Sequence, residues 1–269
     1  MVHQGQVTKG SFETGDKVTA EVDRERRLDI QRNHTATHLV QAALRQVVGE
    51  HVRQRGSLVA PERFRFDFSH LVAMTGEEIG RVREFVNEKI RQNLKIYDEQ
   101  MPYKAAIAAG VTALFDEKYG DTVRVLRIGK PPVSAELCGG THASTTGEIG
   151  FFHILSESSV GAGLRRIEAV TGRGAEKYIR QRMLDLEKVA EYLESKPDEV
   201  VNQAESLSEE LKNERKRVQT LESQLARKEA EALLGKAYPV VGGKVINERV
   251  GQPTNIENLQ EMSDFLIRK

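Results

Sequence analysis

Cys138 is the single cysteine of the chain, and it stands in ELCGGTHAS (136–144), four positions before His142. Far upstream, NHTATHL places His34 and His38 four apart. On a helix, residues at that interval leave one face and approach to a few ångströms. Cys138 and His142 repeat the interval across a Gly-Gly-Thr turn whose glycines permit tight curvature. Two imidazoles from a rigid helix, with a thiolate and a third imidazole from a turn, make a tetrahedral donor set. Imidazole combined with thiolate favours zinc over magnesium or calcium. Each pair also has an ordinary explanation, because helical histidines are often solvated and an isolated cysteine is often a small buried hydrophobe. Both pairs in a chain of seven His and one Cys argue for the metal. The helical pair lacks the glutamate of HExxH, so it carries no built-in general base and a metalloprotease is disfavoured.

The elements that must position these residues follow from periodicity. DIQRNHTATHLVQAALRQVVGEHVRQ predicts a helix, with Ile30, Leu39, Ala43, Leu44, Val47 and Val48 along one stripe. RFRFDFSH predicts a strand with Phe64, Phe66 and Phe68 on one side and Arg63, Arg65 and Asp67 on the other. TGEE is a capping box, with Thr75 as N-cap and Glu78 three residues on, ahead of Ile79, Val82, Val86 and Ile90. Strands are expected at 95–100, 122–128, 148–155 and 164–170, and a short helix at 104–109. The mixture predicts an α+β fold.

Residues 1–25 read as short strands, with Val18, Ala20 and Val22 alternating in KVTAEV, too few to bury a sheet alone. They are expected to close a preceding β domain, with His3 at a loose end. Residues 26–172 form the zinc-containing domain. From 173 to 235 apolar residues form helical stripes: Tyr178, Ile179, Met183, Leu186, Val189 and Leu193 on one face, a restart at SKPDE, then Val200, Ala204, Leu207, Leu211, Val218, Leu221 and Leu225 in threes, fours and one seven, where Glu214 fills the skipped position. This predicts an antiparallel coiled-coil hairpin. ERKRV on it reads as a solvated face balanced by Glu209, Glu210 and Glu222. Residues 236–269 hold a Gly-rich turn, a strand-like KVINERV and a helix-like NIENLQEMSDFLIRK, read as the start of a further domain.

Bulk composition narrows the function classes. The 269 residues are 39% hydrophobic and 30% charged, enough for one or two modest cores. Forty basic and forty acidic residues give no global attraction to nucleic acid, so any such contact rests on local patches. One cysteine allows no disulfide framework, which fits a reducing cytosol. No apolar run approaches the ~20 residues needed to cross a bilayer, and MVHQGQVTKG lacks the apolar core of a secretory signal.

RNHTATHLVQAALRQVVGEHVRQRGSLVAPERFRFDFSH, ELCGGTHA and GAGLRRIEAVTG resemble the editing domain of alanyl-tRNA synthetase, over residues 10–172. The hairpin and the last segment resemble the linker and the opening of that family's C-terminal tRNA-binding domain. Similar zinc modules occur in free-standing alanyl-tRNA editing proteins and in threonyl-tRNA synthetase. The resemblance implies a cytoplasmic hydrolase that removes serine or glycine from tRNA(Ala), with tRNA's acceptor end as partner. It implies zinc at His34, His38, Cys138 and His142, and Gln54 of HVRQRGS lining the pocket. The ATP-binding and charging motifs of the synthetase do not occur in the chain, so aminoacylation is not expected.

The chemistry suits such a site. A pocket for alanine cannot strongly exclude glycine, nor a residue that adds one hydroxyl, and a second hydrolytic site corrects both. Zinc can activate water, polarise the ester or position the tRNA end. Thr35, Thr37 and Thr141 are placed to test for the serine hydroxyl, although capping and local backbone bonds are ordinary uses of threonine. Arg165 and Arg166 follow a glycine pair and are candidates for backbone phosphates, or plain strand charges. His51, His70 and His153 lack a partner at metal spacing. Two other readings stand: a non-catalytic tRNA-binding module whose zinc staples the fold, and a threonyl-type editing module. The hairpin also offers a surface for oligomerisation.

Overall fold

A computed structural model of the chain describes residues 4–113, 119–250 and 256–268; His3 lies outside them. The chain divides into two compact units, Met1–Gln181 and Arg182–Lys269, and the fold is α+β as expected.

The first unit is organised by helix α1 (Arg24–Val47), capped by the Asp23 carboxylate on the Arg26 N–H. It packs on a four-stranded antiparallel sheet of order β1-β2-β7-β6, formed by β1 (Gln54–Val59), β2 (Phe64–Ser69), β6 (Phe152–Gly161) and β7 (Leu164–Thr171). The alternation in β2 does what the sequence predicts: Phe64, Phe66 and Phe68 are fully buried, together with Leu39, Leu44, Phe152 and Ile167. Each such burial stabilises by roughly 1.5–3 kcal/mol, which fixes α1 on the sheet. Helix α2 (Gly76–Arg91) starts at Thr75 with the full capping box and buries Val82, Val86 and Ile90 in the same core. Its Asn87 carboxamide donates to the Phe152 carbonyl at 2.9 Å and accepts from the Phe152 N–H at 3.0 Å, tying α2 to the start of β6.

A second sheet, β3-β4-β5, comprises β3 (Ile96–Pro102), β4 (Thr122–Ile128) and β5 (Ser134–Leu137), with α3 (Tyr103–Ala108) following β3. Buried Val123, Val125 and Leu137 pack with Ala106 and Val111 on one face. The opposite face carries Glu136, cross-strand from Leu126, and Ser134, cross-strand from Ile128. This is the face that meets α1 at the site.

Three local expectations change. KVTAEV forms no strand, and Val18 and Val22 are exposed; alternation yields a strand only when a sheet edge pairs with it. The first helix stops at Val47 rather than near residue 54. Gly49 follows at φ +138, where the built Cβ of any other residue would come 2.8 Å from His51 Nδ1, so Gln54 opens a strand instead of ending a helix. The strand expected from residue 148 begins at Phe152, after a 3-10 turn at Thr146–Ile149.

The first unit ends within α4 (Gly172–Tyr192) and the second begins there. In the second unit a 3-10 turn at Pro197–Glu199 leads into the 35-residue α5 (Val200–Leu234). Its C-terminal part packs on α6 (Ile256–Ile267) through Ala226, Ala230 and Met262. Two short strands, β8 (Tyr238–Val240) and β9 (Gly243–Val245), pair between them. The heptad residues Leu207, Leu211, Val218, Leu221 and Leu225 are exposed. Arg217 pairs with Glu214 in ERKRV, in keeping with a solvated face. Among the described residues no helix is long and apolar enough to cross a membrane.

Candidate metal centre

His34 and His38 leave α1 one turn apart, and the residue before them holds that turn in place. Asn33 donates to the carbonyls of Ala60 and Pro61, in the β1–β2 turn, and accepts from Thr171 at the end of β7. Cys138 follows β5, its N–H bonded to the Arg124 carbonyl of β4 at 3.1 Å. The two segments meet. One ligand atom from each of His34, His38, Cys138 and His142 lies within 4.8 Å of the others. Cys138 Sγ is 3.5 Å from His34 Nε2 and 3.2 Å from His142 Nε2.

The imidazoles are oriented from behind. His38 Nδ1 contacts Glu136 Oε2 at 2.8 Å, and the other oxygen of that carboxylate accepts from Ser134 Oγ at 2.8 Å. His38 is 6% exposed and Glu136 5%. Pairing with the carboxylate assigns the proton to Nδ1 and leaves the Nε2 lone pair facing the cluster. Nε2 is buried and has no protein partner. A buried nitrogen without a partner is costly, and a cation at the centre of the four would satisfy it. His142 Nδ1 lies 3.4 Å from Thr35 Oγ1, which also accepts from the Ala143 N–H at 3.0 Å and donates to the Gln31 carbonyl at 2.8 Å. The carboxylate behind His38 and the hydroxyl behind His142 are the usual outer layer of a histidine metal site.

The electrostatics are those of a cation trap. Burial alone would raise the Cys138 thiol, but hydrogen bonds from His142 and His34, with the charge of the nearby His38, outweigh it and bring the thiol down to about 3. Burial opposes charge on His38, yet Glu136 and then the Cys138 sulfur outweigh it, to about 10. For His142 burial prevails and the shift is downward. A thiolate among three imidazoles suits a soft or borderline divalent ion. The group could hold a metal ion, and its chemistry accords with zinc.

The loop reaches the helix only because residue 140 is glycine. A Cβ built there would fall 2.0 Å from His34 Cε1 and 2.5 Å from its Nδ1, whereas one built on Gly139 would meet nothing within 4 Å. The sequence credits the two glycines only with tight curvature, and does not by itself single out Glu136, Ser134 and Arg124, which also serve the site. Glu136 sits two residues before Cys138, and a carboxylate alternating with a ligand on a short strand was the one available signal. Replacing Glu136 by glutamine should weaken zinc binding about 10- to 100-fold, the usual cost of an outer-layer partner. A chelator-competition titration against the unaltered chain measures this.

The remaining candidates fall elsewhere. Gln54 Nε2 donates to Ser57 Oγ at 3.1 Å, and among the described residues no hydrogen bond links Gln54 to the cluster. The Thr35 hydroxyl is committed to the Gln31 carbonyl, the Ala143 N–H and His142 Nδ1, and Thr37 donates to the His34 carbonyl at 2.7 Å. Thr141 is exposed in the turn. Arg165 makes a two-pronged pair with Glu157 at 2.5 and 2.7 Å, and Arg166 another with Asp67 at 2.7 and 2.8 Å. His51 and His70 pair with each other at 3.0 Å, and His153 stacks on Tyr178.

Residues 123–168 match the family described as "Threonyl and Alanyl tRNA synthetase second additional domain". The chain is 57% identical over 268 residues to a protein of Dehalococcoides mccartyi (strain ATCC BAA-2266) named "Alanine--tRNA ligase", covering 100% of this chain and 31% of that protein. The protein of the same name from Chloroflexus aurantiacus is 43% identical over 279 residues, with 100% and 31% covered. That from Thermoanaerobacter sp. (strain X514) is 44% identical over 268 residues, with 100% and 30% covered. The chain thus spans less than a third of the length of these relatives. Aligned from end to end with about a third of the length of alanine–tRNA ligases, and sharing with the threonyl and alanyl enzymes the segment that supplies Cys138 and His142, the chain matches a fragment of alanyl-tRNA synthetase.

Proposed function

We propose that the chain is an editing hydrolase module that cleaves the aminoacyl ester of Ser-tRNA(Ala) and Gly-tRNA(Ala) in a zinc-containing site, without aminoacylating. The observation that carries this reading is the convergence of His34, His38, Cys138 and His142 from two distant segments, in a chain aligned throughout with alanine–tRNA ligases. Zinc held by these four would supply electrophilic polarisation of the ester. Glu136 and Thr35 keep the Nδ1 protons of His38 and His142 on the outer side, so that the Nε2 lone pairs point inward. Gln54 is proposed to orient the substrate through its amide, and Thr141 to line the approach.

The partner is the acceptor end of tRNA(Ala), in the cytoplasm. Arg165 and Arg166, each held by a carboxylate through two of its five N–H donors, would contact phosphates through the remaining ones. Residues 1–25 are assigned to the end of a β domain, 26–172 to the editing domain, 173–235 to the coiled-coil hairpin and 236–269 to the start of a tRNA-binding domain. The exposed heptad leucines supply the apolar seam for the hairpin, or for association between chains.

Release of serine from Ser-tRNA(Ala) by the purified chain, lost with a chelator and restored by zinc, is the expected result. Zinc binding and an intact fold without ester hydrolysis would instead establish a structural zinc, a reading favoured by the closed set of four protein donors. Faster release from Ser-tRNA(Thr) than from Ser-tRNA(Ala) would assign the threonyl type.

A further inference from the structure

Arg124 projects from the face of the second sheet that bears the site. On β4, Arg124, Leu126 and Ile128 share one side, and Leu126 and Ile128 lie cross-strand from Glu136 and Ser134. Its guanidinium is held twice. Nη1 donates to the carbonyl of Gly140, the residue packed on the His34 ring, and Nε donates to Asp98 Oδ2 at 3.0 Å. A guanidinium has five N–H donors. Nη2 has no hydrogen-bond partner among the described residues, and the side chain is 30% exposed. A fixed cation with donors to spare therefore stands at the rim of the metal centre, one residue removed from two of its ligands.

The substrate of the proposed reaction carries an anion close to the bond to be cut. The ester to be cut sits on the terminal ribose, and the 5′ oxygen of the same ribose carries a phosphodiester. Arginine's planar fork suits phosphate oxygens, and charge-assisted bonds of this kind are the strong ones. We propose that Arg124 is a substrate-positioning residue: its free N–H groups bind the phosphate 5′ to the terminal ribose while Nη1 holds the Gly140 turn, so that a seated phosphate fixes the ester against the ligand loop. Asp98 aims the fork and offsets part of its charge. The inference rests on the proposed ester hydrolysis and adds the group that recognises the nucleotide end.

The test compares two small esters, 3′-O-seryl-adenosine and 3′-O-seryl-adenosine 5′-monophosphate, with the full chain in the unaltered, Arg124→Gln and Arg124→Lys forms. Zinc content is measured on each. The unaltered chain should prefer the phosphorylated ester. Arg124→Gln should retain zinc and lose about 10- to 100-fold more kcat/KM on the phosphorylated ester than on the other, mainly through KM. Arg124→Lys, which keeps the charge without the fork, should keep part of the preference. Equal losses on both esters, or loss of zinc in both variants, would reduce Arg124 to a loop clamp and overturn the proposal. An unchanged preference in Arg124→Gln overturns it too. Failure of the unaltered chain on both esters and on Ser-tRNA(Ala) would bring down the hydrolytic reading itself. Activity on Ser-tRNA(Ala) with no preference for phosphate would remove only the role of Arg124.

Discussion

Cys138→Ala is expected to weaken zinc binding more than 100-fold, beyond the 10- to 100-fold typical of losing an outer-layer partner. Two features make the effect large. The sulfur supplies the only anionic donor of the four, so its loss leaves three neutral imidazoles for a divalent cation. The sulfur also sits within 3.5 Å of His34 Nε2 and 3.2 Å of His142 Nε2, which binds the turn to the helix even before a metal arrives. Thermal unfolding gives an independent measure. Zinc at a hundred times its Kd stabilises a single site by about 2.7 kcal/mol. At roughly 2–4 °C per kcal/mol for a domain of this size, zinc should raise the midpoint of the unaltered chain by roughly 5–10 °C. The same zinc should leave Cys138→Ala almost unmoved. Wild-type zinc affinity in that variant would remove Cys138 from the site and, with it, the physical basis for the proposed activity.

The four residues that could hold a metal ion were legible in the sequence because the signal was chemical and local: rare residue types at helical or turn spacing. What lies behind them was not, because those contacts depend on distant backbone. Glu136 reads as an ordinary strand carboxylate until β5 is laid against α1, and only then does it meet His38. Arg124 is one charge among forty until the Gly140 carbonyl is seen on its guanidinium. Strand β1 went unread for a different reason. QRGSLV mixes exposed and half-buried residues, and its register slips between Gln54 and Gly56, so no clean alternation survives in the letters. KVTAEV shows the reverse failure, an alternation with nothing to pair against. The sequence offers Arg165 and Arg166 as phosphate contacts or plain strand charges, and it does not show that Glu157 and Asp67 are placed by the β6–β7 and β2–β7 registers to receive them.

Gly140→Ala tests whether the loop must touch the helix, and it should nearly match the loss of a ligand. The added methyl would fall 2.0 Å from His34 Cε1 and 2.5 Å from Nδ1, distances that no side-chain Cβ tolerates. The α1 backbone cannot retreat from the clash, because Asn33 fixes that turn to the carbonyls of Ala60 and Pro61, so on the helix side only the His34 ring can move. The turn cannot easily retreat, because Arg124 holds the Gly140 carbonyl and Thr35 holds the Ala143 N–H. Either His34 leaves the donor set or the turn carries Cys138 and His142 outward, and both outcomes disassemble the site. Steric insertions of this kind in packed regions cost about 1–3 kcal/mol, which corresponds to a loss of zinc affinity of up to about 100-fold. Gly139→Ala is the matched control, since its methyl would meet nothing within 4 Å, and it should bind zinc as the unaltered chain does. Titrating both variants against a chelator separates the two cases: equal, undiminished affinities would mean that the turn does not need its close approach to His34.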